Sequence, residues 1–119
     1  MNRADLLAKS RANLLAKFPP QKEWSALDRA GQKDGLVRAF RMVIGAIKIE
    51  KREPDIWESI NLADAFRCSN SGYYTEGLAA LEKALAEPGT RTMMKGQSEQ
   101  PTTIAALEDA LKSLVARAA

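Results

Sequence analysis

The sequence contains no histidine and a single cysteine, Cys68. These two absences remove Ser-His and Cys-His nucleophile pairs, histidine-ligated metals, cysteine-clustered zinc and any internal disulfide framework. No Gly-rich phosphate loop or nucleophile elbow is present either. Glu50 with Glu53, and Glu58 with Asp64, are carboxylates near each other in sequence, but neither pair sits convincingly in an apolar pocket. No catalytic residue, metal ligand set or cofactor is therefore assigned, and the expectation is a protein that is not an enzyme. Long apolar runs are also missing. The most apolar stretch, Met42 to Ile47, meets Lys48 at once, whereas about 20 apolar residues are needed to span a bilayer. No membrane role is expected, and the unpaired Cys68 agrees with a cytoplasmic location.

What is present is ordinary for a globular chain: 119 residues, 45% hydrophobic and 28% charged, with only 6% aromatic. That length fits one domain. The net charge of +3 is unevenly distributed. Up to Arg52 there are 12 Lys+Arg against 5 Asp+Glu, a net +7; from Glu53 onward there are 6 against 10, a net −4. Such halves attract each other, within the chain or between copies, and the basic half also attracts acidic partners.

The apolar pattern predicts helices and no strands. Residues 1–18 carry Leu6, Leu7, Leu14, Leu15 and Phe18 on one half of a helical wheel, and Pro19 and Pro20 stop that helix. A short helix fits Lys22 to Ala30, with Trp24 and Leu27 inward and Gly31 as its end. A longer one, capped by Asp34 and running to about Arg52, places Leu36, Val37, Phe40, Val43, Ile44 and Ile47 at helical spacing. Apolar residues on more than one of its sides give it a central place. Arg38, Arg41, Lys48 and Arg52 share one edge of it and form a basic stripe.

Beyond Glu53-Pro54-Asp55, where proline suits a first helical turn, Ile56, Trp57, Ile60, Ala63 and Phe66 predict the buried side of a helix ending near Cys68. Ser69 to Gly72 is a turn by composition. Tyr74, Leu78, Leu81 and Leu85, flanked by the small residues Gly77, Ala80 and Ala84, predict a closely packed helix over about 73–87. Residues 89–101 are expected to be a flexible polar connection. In the last helix, 102–119, Ile104, Leu107, Leu111, Leu114 and Val115 make an apolar stripe, with Glu108 and Lys112 an i,i+4 pair on its exposed side. That stripe requires a cover, from this chain, a second copy or a partner groove, so a homodimer through the C-terminal helix is one expected association.

Pro20, Pro54 and Pro88 are spaced by 34 residues, and Trp24 and Trp57 follow the first two. The stretch from Asn61 to Pro88 resembles one tetratricopeptide repeat, with Leu62, Ala63, Phe66, Gly77, Leu81, Ala84 and Pro88 at comparable positions. The turn is about one residue longer than the family pattern, and Gly77 replaces the usual alanine. The fold class expected is all-α: antiparallel helical hairpins over 20–53 and 54–88, about six helices in all, arranged like tetratricopeptide repeats or as an irregular bundle. The resemblance implies a non-catalytic adaptor that binds a protein or peptide partner on a concave helical surface. On matching positions, Arg29, Lys33, Asn61, Asp64 and Arg67 project into that surface. A nucleic-acid-binding protein using the basic half is the alternative, resting on a pI near 9.2 and the Arg38, Arg41, Lys48, Arg52 stripe. No aromatic residues are interleaved with those cations to stack on bases.

Overall fold

A computed structural model describes residues 21–85 and 102–117 of the chain. The expected N-terminal helix, the ends at Pro20 and Pro88 and most of the connection lie outside those residues. Among the described residues the chain is helical throughout, with five helices and no strand: α1 Gln21–Ala26, α2 Arg29–Ile49, α3 Ile56–Asn70, α4 Tyr74–Ala84 and α5 Ile104–Ala116.

The first long helix starts six residues earlier than predicted, with its cap at Asp28 instead of Asp34. Asp28, in extended backbone, accepts a hydrogen bond from the Gly31 amide at 2.7 Å and caps α2. Gly31 therefore lies in the first turn of α2 instead of closing α1, and Asp34 is an exposed interior residue, not the cap. An N-cap carboxylate needs a free N–H three residues on, and Asp28 reaches one first. Leu27, expected inside, is exposed in the two-residue link that results.

The centre of the fold is α2. Leu36, Phe40, Val43 and Ile47 are fully enclosed, and Phe40 stacks on Phe66 of α3 with ring centroids 4.2 Å apart. Trp24 of α1 closes one end: its ring lies against Gly35, and its indole N–H donates to Thr75 Oγ1 at 3.0 Å. Helices α3 and α4 pack antiparallel. The Trp57 indole N–H near the start of α3 donates to the Lys83 carbonyl near the end of α4, while Ser69 and Ala65 face Gly77. The expected small-residue contact is thus present at Gly77. A Cβ there would stand 2.8 Å from Ser69 Oγ and 3.3 Å from the Ala65 carbonyl oxygen.

The buried face of α3 differs from its apolar count. Leu62, Ala65, Phe66 and Ser69 are inside together with Glu58, Ser59 and Asn61, whereas Ile56 and Ala63 are exposed and Trp57 and Ile60 half-buried. Each buried polar residue has a partner. Glu58 forms a capping box with Asp55 and an ion pair with Arg52, Ser59 Oγ accepts from the Thr102 amide, and the Asn61 amide donates to the Trp57 carbonyl. A satisfied polar group loses most of its burial penalty, so hydrophobicity alone misplaces this face. Pro54 precedes the Asp55 cap and so lies outside the first turn of α3.

The last helix docks back onto the chain. Its N-cap Thr103 accepts from the Ala106 amide, and the Ile104 amide donates to Glu53. Leu107, Leu111 and Leu114 are buried, while Val115 stays exposed. Lys48 near the C-terminal end of α2 meets Glu108 early in α5, so these helices also run antiparallel.

Candidate functional site

Three helix ends converge on one open cleft of about 230 Å³, lined by Arg29, Lys33, Ser69, Asn70, Ser71, Gly72, Tyr74, Leu114 and Arg117. It is made by the start of α2, the α3–α4 turn and the end of α5. The turn is built locally. Ser71 in the helical region ends α3, and Gly72 takes φ +86°, where a side chain is strained. A Cβ on Gly72 would also fall 2.9 Å from Arg29 Nη2, so its absence lets the guanidinium lie over the turn. Arg29 is held there twice, by donation from Nη1 to the Gly72 carbonyl at 2.9 Å and by its position 4.4 Å from the centre of the Tyr74 ring.

Lys33 differs from every other lysine described. Its residue surface is 9% exposed, and no described group forms a hydrogen bond or ion pair with it. Every fully enclosed side-chain nitrogen or oxygen among the described residues has a partner. The Lys33 ammonium therefore reaches the open cleft while its stem is covered. With Arg29 and Arg117 it gives the lining three cations, and no carboxylate lines it among the described residues.

The helix ends do not by themselves explain this arrangement. The last carbonyls of α3 already accept from the turn: Arg67 and Cys68 from the Ser71 amide, Ser69 from the Gly72 amide, and Cys68 again from Tyr73 at 2.8 Å. The Leu114 carbonyl of α5 accepts from the Arg117 amide. A cation beside a helix C-terminus gains only about 0.3–1 kcal/mol. At the start of α2 the macrodipole works against cations, and no acidic residue occupies its first turn.

Of the residues expected on a binding surface, Arg29 and Lys33 come together here. Asn61 is buried and turned to its own helix. Asp64 and Arg67 form an i,i+3 pair on the outer side of α3, away from the cleft lining. The basic stripe is broken up. Helix α2 ends at Ile49, with Lys51 at φ 57°, so Arg52 leaves the helix and binds Glu58 at 2.7 Å and Glu50 at 2.6 Å. Lys48 binds Glu108 at 3.0 Å, which replaces the expected Glu108–Lys112 contact, and Arg38 and Arg41 remain exposed on α2. Arg41 instead borders a more apolar depression of about 390 Å³ with Glu108, Leu111, Lys112, Val115 and Ala116.

Sequence reasoning missed Tyr74 and Arg117 as site residues. Both join the cleft only through tertiary packing. Among the described residues no group of histidine, cysteine, aspartate or glutamate is placed to hold a metal ion, and no helix is long and apolar enough to cross a membrane. Cys68 is half-buried. No protein-family model, curated protein or solved structure matches the chain.

Proposed function

We propose that the protein is a non-catalytic interaction module that receives an acidic segment of a partner protein in the cleft between α2, the α3–α4 turn and α5. The observation that carries this reading is Lys33, a lysine with a covered stem and no partner among the described residues, beside Arg29 and Arg117, where no described residue of the lining is a carboxylate. Complementary charge supplies on-rate and register in such an encounter, and a held guanidinium loses little freedom on binding. The antiparallel α3–α4 pair is compatible with a tetratricopeptide-like hairpin, and the reading needs only the cleft.

Nucleic-acid binding through the basic stripe is the weaker reading, because Lys48 and Arg52 are already engaged by Glu108, Glu50 and Glu58. Calorimetric titration of the full chain with a hexaglutamate peptide and with random-sequence duplex DNA, across a salt series, separates the two. The expected result is saturable peptide binding that weakens in Arg117→Ala, with no binding of DNA at low salt. Peptide binding absent at low salt removes the reading, and DNA binding with a steep salt slope favours the other.

A further inference from the structure

We infer that the cleft recognises a phosphoryl group, and that a phosphorylated side chain on the partner is the group it was shaped to receive. This rests on the acidic-segment reading above and specifies the chemistry of the anion. The charge count favours a dianion. Among the described residues the lining holds three cations, Arg29, Lys33 and Arg117, and no carboxylate, so a single carboxylate on the partner leaves two of them uncompensated. A phosphoryl group carries about −1.5 to −2 charges near neutral pH and offers three strong acceptor oxygens.

The donors fit that geometry. Arg29 spends one N–H on the Gly72 carbonyl and keeps the others, in a planar fork already fixed by Gly72 and Tyr74. Lys33 brings an ammonium with three donors and no competing partner among the described residues. Ser71 adds a hydroxyl to the lining, and Arg117, exposed at the end of α5, a second guanidinium. The turn amides of Ser71, Gly72 and Tyr73 are occupied by α3 carbonyls, so recognition falls to these side chains.

The test uses the full chain and three probes at fixed ionic strength: a serine-containing peptide in its phosphoserine form, the same peptide with glutamate at that position, and inorganic phosphate alone. The phosphopeptide is expected to bind at least tenfold tighter than the glutamate peptide. Lys33→Met and Arg117→Ala are each expected to weaken it at least tenfold, while Arg38→Ala leaves it unchanged. Arg117 is exposed at a helix end, so its variant keeps the test open should Lys33→Met fail to fold. Phosphopeptide affinity is also expected to rise between about pH 5 and pH 7.5 with the second phosphoryl ionisation. The chain has no histidine, and among the described residues the titratable groups lining the cleft are Arg29, Lys33, Arg117 and Tyr74.

Equal affinity for the phosphoserine and glutamate peptides overturns the phosphoryl preference and leaves the acidic-segment reading standing. Phosphate bound through Lys33 and Arg117 with neither peptide bound supports the phosphoryl site and removes the partner segment. No binding of any probe overturns both.

Discussion

Lys33 has its stem covered while its ammonium reaches the open cleft beside Arg29 and Arg117, without a partner among the described residues. Lys33→Met keeps the stem and removes the charge. It is expected to change stability by no more than about 0.5 kcal/mol, seen as a nearly unchanged thermal midpoint, and to weaken anion binding in the same sample. Glu58 is the opposite case. It is fully enclosed, pairs with Arg52 and accepts from the Asp55 amide at 2.9 Å. Glu58→Ala is expected to cost about 2–4 kcal/mol in urea unfolding, since it opens a capping box, removes an ion pair with Arg52 and leaves a cavity at a fully enclosed position. The hydrogen bond to Glu58 holds the Arg52 pKa above its ordinary range, against the opposing effect of partial burial. A raised cationic pKa gives stability that is complete below the unfolded value and lost only as pH climbs through the folded one. Both lie above working pH, so Arg52 adds no pH dependence there.

At the scale of the helix, the α3–α4 contact is set by Gly77. Its neighbour Ser69 Oγ is fixed by donation to the Ala65 carbonyl at 2.6 Å and cannot swing aside freely. Gly77→Ala is expected to cost about 1–3 kcal/mol by forcing the helices apart. Adding Ser69→Ala removes the nearest clash, so the double variant is expected to be more stable than the two single losses sum to, a coupling measurable by a double-mutant cycle. The sequence made this contact legible, because small residues beside Leu78, Leu81 and Leu85 leave a close approach as their natural use. It also gave the core of α2 from Leu36 to Ile47. The buried face of α3 was not legible in the same way. Glu58, Ser59 and Asn61 are inside because Arg52, the Thr102 amide and the Trp57 carbonyl satisfy them, and none of those pairings is written in apolar periodicity.

At the scale of the molecule, the opposite charges of the two halves meet at Lys48–Glu108 and Arg52–Glu58. The first pair is exposed and contributes at most about 1 kcal/mol, so apolar burial must hold α5. Leu111→Ala is accordingly expected to cost about 2–4 kcal/mol, with helical signal and Trp fluorescence lost in one transition if α5 belongs to the same cooperative unit. The cleft itself was half legible. Arg29 and Lys33 are what the tetratricopeptide resemblance implies at matching positions, whereas Tyr74 and Arg117 join them only once α4 and α5 have packed on α2. The most direct test of the central claim is a two-dimensional amide titration of the full chain with the acidic peptide. The account predicts saturable shifts concentrated at Arg29, Lys33, Ser71, Gly72 and Arg117; shifts confined to Arg38 and Arg41, or none at all, would contradict it.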